Sequence, residues 1–215
     1  MGNSWTRAWL AALGSIVLAV VVTRSREEWL LNVEQPVVTW LLDGTETSAW
    51  DAASILSAWL VILPGTALLI AIGFWLDRNV ALSIITTTLF AYALTGLIGT
   101  LVGRVGPAGE TTSTFPSFEV VRAGVFWGLV VLMFWWVGAP KLFWHIVLEI
   151  ALVLMLVVSI RGVVSGDFWP SDAVGAALVV TFALITAAIV FEGNPAKIPS
   201  RKLLKSRFRP KTVSI

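Results

Sequence analysis

Apolar positions along the chain run in six long blocks, at 8–23, 53–76, 80–102, 120–137, 142–160 and 173–191. Each approaches the roughly 20 apolar residues that an α-helix needs to cross a bilayer. Hydrocarbon offers no water to the backbone, so such blocks must satisfy their own hydrogen bonds as helices. The pattern predicts an all-α, polytopic membrane bundle of six transmembrane helices. The first block is as short as the core of a signal peptide. Thr23-Arg24-Ser25-Arg26 follows it instead of a small-residue cleavage site, which predicts a retained helix. Segment 29–42 has a different pattern. Trp29, Leu30, Val33, Val37, Trp40 and Leu41 recur at near-helical spacing, interrupted by Glu34 and Gln35. It is too short and too polar to span, and predicts a short amphipathic helix lying in the outer interface.

Composition agrees with the pattern. Hydrophobic residues make up 57% of the 215 residues and charged residues 13%, against about a quarter charged in soluble domains. The length suits one membrane domain, 1–195, followed by a basic tail, 196–215. With no cysteine, thiol catalysis, disulfides and thiolate metal sites are excluded. Lys and Arg then set an orientation. With the N-terminus in the cytoplasm, Arg7, Arg78, Lys141 and the tail (Lys197, Arg201, Lys202, Lys205, Arg207, Arg209, Lys211) lie inside. Arg24, Arg26, Arg104, Arg122 and Arg161 lie outside, beside Glu27, Glu28, Glu34, Asp43, Glu46, Asp51 and Glu110. An even number of spans puts both termini in the cytoplasm, which agrees with the basic tail. That tail either sets topology alone or meets anionic lipid or a partner, at about 1 kcal/mol per cation near the surface. Twelve tryptophans suit the aromatic belts of the two interfaces. No internal repeat is evident. Membrane lipids and membrane proteins are the expected partners, not nucleic acid. The expected home is a prokaryotic plasma membrane, from size and the lack of organelle signals.

Polar residues gather where helices three to six meet the outer side. Gly103-Arg104-Val105-Gly106-Pro107 follows the third span, and Phe115-Pro116-Ser117-Phe118-Glu119, then Arg122, opens the fourth. The run from Arg161 through Asp167-Phe168-Trp169-Pro170-Ser171-Asp172 joins the fifth to the sixth. Ionisable residues at membrane depth are costly and mark sites. Three arginines and three acids on one side predict an anion pocket with its own counter-ions. Arg104, Ser117, Arg122 and Arg161 are its expected phosphate-binding residues.

This order resembles the type 2 phosphatidic acid phosphatase superfamily, which includes the vanadium haloperoxidases. That family carries Lys-x6-Arg-Pro, Pro-Ser-Gly-His and Ser-Arg-x5-His-x3-Asp at these three places. The resemblance covers about residues 50–190 and is best at Thr114-Phe115-Pro116-Ser117 and at Trp169-Pro170-Ser171-Asp172-Ala173-Val174-Gly175. It implies six helices and a site facing outward. The departures fall on the catalytic positions. Gly99 and Gly106 replace the first-motif lysine and arginine, and Phe118 and Glu119 replace the second-motif glycine and histidine. Arg161 and Asp172 match the third motif. Its histidine position falls on Phe168 or on Asp167, according to which end is aligned.

The family's third-motif histidine attacks phosphorus, its aspartate orients that histidine, and the second-motif histidine protonates the leaving group. Phenylalanine can do neither. The only histidine, His145, is sixteen residues before Arg161, or ~24 Å along a helix. It therefore cannot serve the site, and is expected to pack or snorkel with Glu149 one turn away. Three functions remain. A catalytically inactive member would bind a lipid phosphate or head group, or serve as a membrane partner or scaffold. An active lipid phosphate or polyprenyl pyrophosphate phosphatase would need Asp167, Glu119 or Asp172 in place of histidine. A small transporter would show repeats and broken helices, of which only Pro64-Gly65 is a hint. The simplest role for Glu119 is an ion pair with Arg122 or Arg161 that closes the pocket. Ser117 and Asp172 are expected to cap the fourth and sixth spans. No cofactor or metal is expected.

Overall fold

The computed structural model describes residues 2–44, 55, 58–107, 109 and 113–192, and within them the regular structure is all helical. The helices are α1 (Gly2–Ser25), α2 (Glu27–Gly44), α3 (Trp59–Leu76), α4 (Arg78–Val102), α5 (Phe118–Trp136), α6 (Lys141–Val164) and α7 (Pro170–Glu192). The basic tail and Glu46, Asp51 and Glu110 lie outside the described residues.

Local chemistry sets the helix ends. The Asp77 carboxylate accepts from the Asn79 N–H at 2.7 Å and opens α4, the usual service of an N-cap. Gly103, at φ 67°, closes α4 in the left-handed conformation that glycine adopts at least cost. Pro170 opens α7, where its missing N–H is no loss.

Among the described residues, five helices are long and apolar enough to cross a membrane: Thr6–Ser25, Arg78–Val102, Phe118–Trp136, Lys141–Val164 and Pro170–Ile189. The expected span at 53–76 is a shorter apolar helix, Leu60–Leu76 within α3. The outer surface of the bundle is itself apolar. Leu18, Leu60, Leu89, Leu97, Leu152 and Leu156 are all exposed. A continuous apolar exterior of this kind marks a surface made for hydrocarbon rather than for water.

The last helix is the hub. α7 packs against α1, α4 and α5, with Ala176, Val179, Val180 and Ala183 all buried. In lipid no hydrophobic force draws helices together, so close packing must. At Gly128 of α5 an added Cβ would lie 2.3 Å from Leu184 Cδ1; glycine is what lets α5 and α7 approach. On the same stretch of α7, Trp9 Nε1 donates to Thr186 Oγ1 at 3.0 Å and its ring meets Phe182 at 5.1 Å. These contacts fix α1.

The expected short helix at 29–42 is present and longer, as α2, with Pro36 inside it. It has three faces. Leu31, Glu34, Val38 and Leu41 turn toward the bundle, whereas Trp29, Val33, Val37 and Trp40 form an exposed apolar stripe. Asn32, Gln35 and Thr39 form an exposed polar stripe between them.

Candidate functional site

Four hydrogen-bonded links gather the polar segments at one end of the bundle. Arg24 at the end of α1 donates to the Val102 carbonyl at the end of α4, at 2.9 Å. The Thr114 N–H donates to the Arg104 carbonyl at 2.9 Å, beside an isolated β-bridge between Val105 and Ser113. The Ser117 N–H donates to the Asp172 carbonyl at 3.1 Å. Glu34 of α2 reaches across to Arg104. The sequence expectation that these segments share one end therefore holds.

Among the described residues, their ion pairs fall into two sets that share no residue. In the first, the fully buried Arg104 lies between two carboxylates. Its Nη2 is 2.5 Å from Glu34 Oε2, and its Nη1 is 3.0 Å from Asp172 Oδ1 and also donates to Ser171 Oγ. Its guanidinium carbon stands 5.4 Å from the Trp169 ring centroid, within cation–π range. Asp172 Oδ2 accepts from Thr114 Oγ1 at 2.7 Å and from the Trp169 N–H at 2.9 Å. Glu34 Oε1 accepts from the Ser171 N–H at 2.7 Å. Each carboxylate oxygen in the set thus has a donor.

The second set joins α5, α6 and the loop before α7. Arg161 Nη1 lies 3.0 Å from Glu119 Oε2 and 2.6 Å from Asp167 Oδ2. Here the side chains keep some exposure, 19% for Arg161, 21% for Glu119 and 38% for Asp167. Arg122 is buried three residues beyond Glu119, on the same face of α5. The expected pairing of Glu119 with an arginine is thus made, with Arg161.

The expected caps are found with one change of position. Ser117 is the N-cap of α5, accepting from the Val120 N–H at 3.4 Å, so this buried hydroxyl serves the backbone. Asp172 is not the N-cap of α7. With Pro170 as the first helical residue it is the third, and it reaches back to the Trp169 N–H as the acid of a capping box does. His145 is exposed and stacks on Trp144 at 3.8 Å, without a hydrogen bond to Glu149. Helix α6 runs unbroken from Lys141 to Val164, so the long separation of His145 from Arg161 stands.

Glu34 is the residue that sequence reasoning missed. It read as an interruption of an amphipathic helix. The available signal was its spacing with Leu31, Val38 and Leu41, which places it in the middle of the buried face.

Charge decides what the arrangement can do. Two carboxylates against one guanidinium leave the Arg104 set with one formal negative charge in excess, whereas Arg122 acts on Glu119 and brings the Arg161 set to balance. The first set repels phosphate, and Arg104 has no exposed surface to offer it. Among the described residues no group of three metal-ligating side chains occurs. No protein family, curated protein or solved structure matches the chain.

Proposed function

We propose that this chain is a six-span membrane protein of the phosphatidic acid phosphatase type 2 arrangement that works without catalysis, as a membrane scaffold or partner. The observation that carries the reading is the double-carboxylate occupation of Arg104 and Arg161. A phosphatase must present free cationic donors to the transferring phosphoryl group. Here Arg104 Nη1 and Nη2 and Arg161 Nη1 are engaged with internal acids, and Phe168 and Glu119 stand where the resemblance calls for histidines. A buried ion-pair network of this kind holds elements in one arrangement. In this reading both termini are cytoplasmic, the ion-paired end faces outward and the chain sits in a prokaryotic plasma membrane.

A second reading is binding of a zwitterionic or phosphorylated lipid head group at Arg161. The partial exposure of Arg161, Glu119 and Asp167 favours it. The ammonium of such a group would meet Asp167 while its phosphate competed for Arg161.

Phosphate release by detergent-purified protein tests the proposal, with phosphatidate and undecaprenyl pyrophosphate as substrates and Arg161→Ala as control. The expected result is no turnover above the variant. Turnover that disappears in Arg161→Ala, and that depends on Asp167 or Glu119, would refute the non-catalytic reading.

A further inference from the structure

Consecutive antiparallel helices usually pack along their length, yet α6 and α7 barely touch. Both are long and apolar enough to span a membrane. The gap between them is a groove of about 360 Å³, bordered by Leu41 of α2. Its walls are Leu156, Ile160 and Val163 of α6 and Val174 and Ala177 of α7. Ser159 is the one hydroxyl on the wall, and it already donates to the Met155 carbonyl at 2.8 Å. The groove therefore offers carbon and almost no unfilled polar valence.

We propose that this groove binds one acyl chain of a membrane lipid. Three observations support that occupant. The two long walls are spanning helices, so the opening faces hydrocarbon and not water. The groove is shallow and open along one side, and its volume reaches the range of ligand pockets. The exposed stripe of Trp29, Val33, Val37 and Trp40 places α2 at the lipid interface. A chain entering beside Leu41 thus starts at head-group depth and runs inward between α6 and α7. The proposal requires membrane embedding and does not depend on whether the chain is a phosphatase.

The full-length protein, reconstituted in phosphatidylcholine carrying a diazirine at the acyl terminus, provides the test. Samples are illuminated in the vesicle, or after transfer to lipid-free detergent in the dark, and cross-linked peptides are mapped by mass spectrometry. Cross-links at Leu156, Ile160 and Val174 are expected to survive the transfer, while those at Leu89 and Leu101, exposed on α4, are lost. Ala177→Phe fills the groove and is expected to lower its labelling about tenfold, as when roughly two methylenes lose their seat. If Ala177→Phe does not give a monodisperse protein, Val174→Trp at the exposed rim replaces it. Groove labelling that washes out together with that at Leu101, or that is unchanged in the filled variant, would overturn the proposal. So would protein–protein cross-links from a benzophenone at position 177, which would place a second copy or a partner helix there. Phosphatase turnover leaves each of these readouts unaffected, so failure here and failure of the non-catalytic reading are distinguishable.

Discussion

Replacing Arg104 with methionine is the sharpest perturbation of the fold. Methionine keeps the length and apolar stem of arginine and removes its charge. Arg104 is fully buried between Glu34 and Asp172. Its loss leaves two carboxylates facing each other in an apolar bundle, which is worse than a broken pair. Removing one partner of a buried pair costs about 3–5 kcal/mol, which for a chain of this size lowers the apparent Tm by roughly 6–20 °C. Glu34→Gln alone is expected to cost far less, about 1–2 kcal/mol, because Asp172 still neutralises Arg104 and the amide oxygen still accepts from it. The double variant Arg104→Met/Glu34→Gln removes the repulsion and is expected to recover about 1–2 kcal/mol over Arg104→Met, as strongly coupled neighbours do. Thermal unfolding in detergent, followed by loss of the monodisperse peak in size-exclusion chromatography, measures all three. The reasoning fails if Arg104→Met melts within about 2 °C of the parent, or if adding Glu34→Gln brings no recovery.

Three further outcomes follow from the same structure. At Gly162 an added Cβ would lie 2.0 Å from Phe168 Cε1, so Gly162→Ala is expected to destabilise by about 1–3 kcal/mol of overpacking, seen as a lower apparent Tm. Asp167→Asn removes one arm of the partly exposed Arg161 set and is expected to change stability by less than about 1 kcal/mol, within a few degrees in the same assay. Trp9→Phe keeps the ring contact with Phe182 but loses the bond to Thr186; a cost of about 1 kcal/mol is expected, and suppression of that cost by Thr186→Val in a double-mutant cycle checks its origin.

Much of the fold was legible because hydrocarbon imposes a simple rule. Long apolar blocks must be helices, and the helices end where Asp77, Gly103 and Pro170 say they should. The span expected at 53–76 shows the limit of that rule. Hydropathy registers apolar residues but not where a helix begins, and α3 starts at Trp59. The end of the bundle that holds Arg104, Arg161 and Asp172 was also legible, since helices alternate in direction. Their partners were not. Glu34 and Arg104 are 70 residues apart, and no local pattern tells an arginine in a sequence whether an acid will meet it in the fold. The place of Asp172 was recoverable in part, because a proline at the first helical position makes the residue two further on the third. Counting three arginines on one side suggested an anion site; counting the acids that face them reverses the sign.

The position of the hub helix has a consequence for how the protein is made. The chain is synthesised from its N-terminus, and α7, which joins α1, α4 and α5, emerges last among the described helices. Asp172 follows Arg104 by 68 residues, an interval of about 3–14 s at ordinary elongation rates. Glu34 leaves the ribosome before Arg104 does. The guanidinium can therefore enter the membrane already neutralised by α2, and exchange a single counter-ion for a shared one when α7 arrives. In this order of events α2 serves as an internal chaperone for the charge at the end of α4.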